Sequence, residues 1–160
     1  MATKRHRMLY ATDLSADSAD GIRYAIQYAT DHNASLIVFH IIHQRLTRFS
    51  QLFPNFFNSA REQDIIKEKV NVALRQMERL LMEIHKTQLN ESLQQRDTVE
   101  YLVVHYGKIT EEIVQKAHQW GCASIIIGPR RKRFFGRIFL PSIVRMVRRR
   151  SNAPVHILRR

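Results

Sequence analysis

"RMLYATDLSADSADGIRYAIQYATDHNASLIVFHII" (residues 7–42) changes its period twice. Residues 7–13, RMLYATD, are a short apolar strand pattern. Over 14–34 the apolar residues Ile22, Ala25, Ile26 and Ala29 recur at i, i+3, i+4 and i+7, which places them on one face of a helix. Ser15 stands before them as a candidate N-cap. Residues 35–42, SLIVFHII, are a β-rich apolar run, dense enough to be buried on both faces, as strands of parallel sheets are.

The rest of the chain repeats this alternation. Residues 43–60 have no clean period and carry Phe49, Phe53, Phe56 and Phe57 around Pro54, so they read as a long mobile loop that covers the ligand mouth or a partner. Residues 61–88 are helical, with Ile66, Val70, Leu74, Met77, Leu81 and Ile84 in one stripe. A polar connection (89–97) leads to the strand 98–106, which Gly107 ends. Thr110 reads as the cap of the next helix, with Glu111 and Glu112 in its first turn and Ile113, Val114, Ala117 and Trp120 on its apolar face. Residues 123–127 are a strand, Leu140, Ile143, Val144 and Val147 mark a last helix, and 154–158 a last strand.

Strands alternating with helices imply an α/β fold: one doubly wound, open, parallel sheet of five strands with helices on both faces, in a single domain over 1–160. Ligands of such sheets sit outside the carboxyl ends of the strands, where the winding reverses. Here those ends are Ala11-Thr12-Asp13, Ile41-Ile42 and Gly128.

Composition narrows the class. The chain is 44% apolar, as globular proteins are, and no apolar stretch approaches the ~20 residues that span a membrane. The N-terminal stretch lacks the apolar region of a signal peptide, and the single cysteine, Cys122, forms no intrachain disulfide. A cytoplasmic protein is expected. The net charge of +12 is unevenly spread: residues 113–160 hold 12 of the 26 basic side chains and none of the 14 acids. Such asymmetry points to an anionic partner, or to a basic face that only aids solubility. On the last helix Arg145, Arg148 and Arg149, with Arg150 adjacent, suit nucleic acid phosphates or form a solvated face.

These elements resemble the universal stress protein family over nearly the whole chain. The opening 7–29 is similar to the family's first strand, Asp and first helix, and ASLIVFHII to its second strand. VVHYGKITEEIVQKA is similar to its third strand and third helix, and SIIIG and SNAPVHILRR to its last two strands. The resemblance implies a Rossmann-like sheet of the adenine nucleotide alpha hydrolase type with strand order 3-2-1-4-5. It also implies a stress-response role, a homodimer through the strand 154–158, and an adenine nucleotide site for ATP with Mg. Asp13 matches the family's acidic residue near the nucleotide, and is equally a turn aspartate. Ile41 matches the residue lining the adenine, and is equally an ordinary strand residue.

The family's ATP-binding members carry a glycine, two residues, a glycine, nine residues, then glycine followed by Ser or Thr. That spacing falls on Gly128, Arg131, Pro141 and Ser142, so two of three glycines are gone. The family's strand-four aspartate position is Ala123, a further departure. Glycine lets backbone N–H groups approach phosphate; Arg131 adds a Cβ, and Pro141 removes an N–H. Arg130, Arg131, Lys132 and Arg133 bring cations to the same mouth, where guanidinium binds phosphate well. The expectation is an eroded site that binds ATP weakly or not at all yet still takes a small anion, with Ser142 as phosphate ligand or helix cap. The alternatives are an ATP- or AMP-binding switch, and a module for nucleic acid or an acidic partner. No catalytic residues are assigned. His40 and His43 are three apart on a strand, hence on opposite faces, and read as no metal site. Cys122 reads as packing.

Overall fold

The computed structural model describes residues 5–44, 60–87, 97–128 and 141–158. In chain order these hold β1 (His6–Thr12), α1 (Ser18–Asp31), β2 (Ala34–His43), α2 (Ala60–Thr87), β3 (Val99–Gly107), α3 (Ile109–Gln119), β4 (Cys122–Ile127), α4 (Pro141–Arg150) and β5 (Val155–Ile157). The strands pair in parallel in the order β3-β2-β1-β4-β5, as expected. The chain winds outward from β1 to β3, then returns to the other side of β1 for β4 and β5. The winding therefore reverses between β1 and β4.

Alternation along the strands sorts the core into two layers. Met8 and Tyr10 of β1, with Leu36 and Val38 of β2, face α1 and α2. Leu9 and Ala11, with Ile37, Phe39 and Ile41, face α3 and α4. The helices bury the residues their spacing selects. On α1 these are Ile22, Ala25, Ile26 and Ala29. On α2, Met77 and Ile84 are wholly buried, with Val70, Leu74 and Leu81 half-buried beside them. On α4, Val147 is wholly buried, flanked by Ile143 and Val144.

The expected caps are corrected. α1 begins at Ser18 behind Asp17, with no side-chain cap. Ser15 instead accepts the Ser18 N–H through its carbonyl (3.0 Å). Thr110 lies inside α3, which starts at Ile109 behind Lys108. Ser142 is the second residue of α4, which Pro141 opens; proline fits a first helical position because its missing N–H has no partner to lose there. β5 is Val155–Ile157 rather than 154–158, although Pro154 still accepts the Ile125 N–H through its carbonyl (2.9 Å). The aromatic segment 45–59, most of the connection 89–97, Leu140, and Arg130, Arg131, Lys132 and Arg133 lie outside the described residues.

Candidate functional site at the carboxyl ends of the strands

The reversal of winding puts two candidate residues side by side. Ala11 of β1 is in register with Ile127 of β4, so Asp13 and Gly128 leave neighbouring strands at nearly the same level. The Gly128 N–H donates to the Ala11 carbonyl (3.4 Å), which holds the two ends together. Gly128 is also hemmed in from below. A Cβ there would stand 2.8 Å from Tyr10 Oη, and Tyr10 is only 2% exposed. Glycine at 128 is thus required by the buried phenol, apart from any ligand.

The turn after β1 is built from short polar side chains. Asp13 Oδ1 accepts the Ser15 N–H (3.0 Å), and Thr12 Oγ1 accepts the Leu14 N–H (3.2 Å). Leu14 between them has φ 55°, a left-handed conformation unusual for a residue with a branched side chain. Asp13 is therefore a turn residue with one carboxylate oxygen engaged. It also borders an open cleft of about 560 Å³, within the usual range of small-molecule sites.

The cleft lies between the ends of β1 and β2 and the first half of α2. Strand residues His40, Ile41 and His43 border it from one side, and Glu68, Lys69 and Gln76 of α2 from the other. His40 is 7% exposed. Its Nδ1 lies 2.9 Å from the Thr12 carbonyl, which fixes the proton on Nδ1 because a carbonyl can only accept. Burial pushes the imidazole below its usual pKa, against the smaller opposing effects of that bond and of Asp13. A neutral ring with a defined tautomer thus faces the Asp13 turn. Ile41 is 1% exposed and packs among the α3–α4 layer, so its side chain serves the core while the residue borders the cleft.

A sequence model of the Universal stress protein family matches residues 4–159. The chain belongs to the universal stress protein family. A universal stress protein of Methanocaldococcus jannaschii is 24% identical over 163 residues, covering 100% of this chain and 98% of its own length. UspA from Lactobacillus plantarum superposes with a TM-score of 0.68 at 16% identity, over 98% of this chain and 99% of its own. The universal stress protein of Archaeoglobus fulgidus, solved in complex with dAMP, gives 0.53 at 18% identity, over 97% and 98%. At such identities the structural likeness is one of fold.

In this universal stress protein Asp13 and Ile41 meet at one cleft, Gly128 leaves the neighbouring strand β4 beside the Asp13 turn, and Ser142 lies in the first turn of α4. His40 and the α2 face are what sequence reasoning missed. His40 and His43 both border the cleft, His40 buried and His43 exposed, and among the described residues no group of three or more metal-binding side chains forms. Lys69, Val72, Ala73 and Gln76 do share one face at helical spacing, but periodicity cannot say which strand end that face meets. Cys122 is buried at the start of β4, and burial raises its thiol to about 11, which leaves it unreactive at neutral pH.

Proposed function

We propose that this chain is a stress-response member of its family that catalyses nothing itself and takes a small adenine mononucleotide or another small anion, weakly, at the carboxyl ends of β1, β2 and β4. The observation that carries this reading is the level placement of Asp13 and Gly128 at the reversal of winding, beside the cleft under α2. Support comes from the relative solved with dAMP. Against a full ATP site stand Arg131 and Pro141 in place of glycines, which remove backbone clearance and a donor. We further propose a single domain that works as a homodimer through β5, whose place at the sheet edge supports pairing with a second copy. One free, buried cysteine suits a reducing compartment, hence the cytoplasm. The retained Asp13 and Ile41 favour the rival reading, an ATP-binding switch.

Calorimetry with AMP, Mg-ATP and sulfate separates the two. Weak binding of AMP or sulfate, weakened further in Asp13→Asn for the nucleotide, is the expected result. Mg-ATP binding tighter than AMP overturns the eroded-site reading in favour of the switch, and heat from none of the three ligands removes both.

A further inference from the structure

We infer that α4 presents a phosphate-binding face for double-stranded nucleic acid, separate from the cleft. α4 is committed inward through Ile143, Val144 and Val147, on the sheet face opposite to α2. Arg145, Arg148, Arg149 and Arg150 are all exposed. At ~100° per residue Arg145, Arg148 and Arg149 fall on the outward half of the helix, with Arg150 at the margin of its apolar face. Among the described residues none of the four forms an ion pair; the described pairs belong to Arg7, Arg23, His105 and Lys108. Residues 113–160 contain no acid that could answer them. A face kept only for solvation mixes both signs, commonly at i, i+4. This one carries a single sign.

The chemistry selects the partner. Guanidinium groups match phosphate oxygens in pairs of hydrogen bonds. Arg145 to Arg150 rise about 7.5 Å along the axis at ~1.5 Å per residue, which spans about two phosphates of one duplex strand at ~3.4 Å each. Met146, Arg149 and Arg150 also border a cavity of about 220 Å³. A bilayer fits less well. The apolar face of α4 is spent on the core, Val147 being 0% exposed, and Met146 is the one large apolar side chain of this helix left outside. A single strand fits less well too, because stacking needs aromatic side chains and α4 has none. Contacts to phosphate alone carry no sequence information, so binding is indifferent to sequence.

Fluorescence anisotropy with a labelled 20-base-pair duplex across a salt series tests this. Engagement of the two phosphates the helix spans gives a slope of log K against log salt of about −2, at ~0.9 per phosphate neutralised. The variant R145Q/R148Q/R149Q/R150Q, checked for its fold by circular dichroism, is expected to lose binding at ~50 mM salt while keeping any AMP or sulfate binding at the cleft. Should it fail to fold, R148Q and R149Q singly are each expected to shrink the slope by about 0.9. No duplex binding by wild type at low salt overturns the assignment. So does binding whose slope the variants leave unchanged, which would move the site to residues 130–133. Capture by phosphatidylserine vesicles without duplex binding would make the face a membrane surface instead, and overturns it as well.

Discussion

Gly128 is held to glycine by a tyrosine. In Gly128→Ala the new Cβ meets Tyr10 Oη at 2.8 Å, and the packed ring cannot swing away. Overpacking of this kind costs about 1–3 kcal/mol. Urea unfolding of Gly128→Ala in the wild-type and Tyr10→Phe backgrounds checks the cause: the loss should shrink once the hydroxyl is gone, and an equal loss in both would clear the tyrosine of blame. The second residue-level expectation concerns His40, whose folded pKa is depressed by burial. The unfolded chain then takes up a proton that the folded one refuses. Stability from this group is full above the unfolded value of about 6.5 and is lost as pH falls below it, with a limiting slope of about 1.4 kcal/mol per pH unit. Denaturant melts at pH 8 and pH 5.5 should show this fall in wild type and a smaller one in His40→Gln; identical pH dependence in both would assign the effect to other groups.

Helical and strand periods were legible in the chain because each burial pattern is local. The stripe on α2 shows this and sets a contrast that can be measured. Ile84 is 0% exposed and Val72 is 50% exposed on the same helix. Ile84→Ala should cost about 2–5 kcal/mol through lost burial and the cavity left behind. Val72→Ala should stay within about 0.5 kcal/mol, as surface changes do. Equal costs would mean that the helix is not anchored as described. Caps were legible only to within a few residues. Ser15, Thr110 and Ser142 are all of capping type, but Asp13 turns the chain before Ser15 can act, and Lys108 and Pro141 stand where the helices open. The connection from β4 to α4 carries its own test. If lost clearance limits nucleotide binding, Arg131→Gly with Pro141→Gly should tighten Mg-ATP by about tenfold, or about 1.4 kcal/mol. Either change alone should do less, because both fall on the glycine positions of one motif and should couple. Unaltered Mg-ATP affinity in the double variant would show that the glycines are not what is missing.

At the scale of the whole molecule, alternation of strands and helices made the parallel sheet readable, and the resemblance supplied its order. The cleft was not readable, because Asp13, His40 and Gln76 come from three elements whose meeting depends on how α2 crosses the sheet. The same order bears on assembly. Among the described residues β5 pairs with β4 alone, which leaves its outer side as a sheet edge. The Pro154 carbonyl and the Leu158 N–H point inward, to Ile125 and Ile127. In a strand the bonding direction alternates, so Val155 and Ile157 turn their backbone groups outward. Val155 and Ile157 are also only half-buried, which leaves apolar surface for a second copy to cover. Ile157→Pro should therefore remove an outward donor while sparing the bonds to β4, since proline is tolerated where the missing N–H faces away from the sheet. The expected outcome is a wild-type mass twice 18.9 kDa at tens of micromolar, and a folded Ile157→Pro monomer. A wild-type monomer by light scattering would sink the dimer. A dimer that survives Ile157→Pro intact would move the contact elsewhere, with β3 at the opposite edge and its exposed Tyr101 the next place to look.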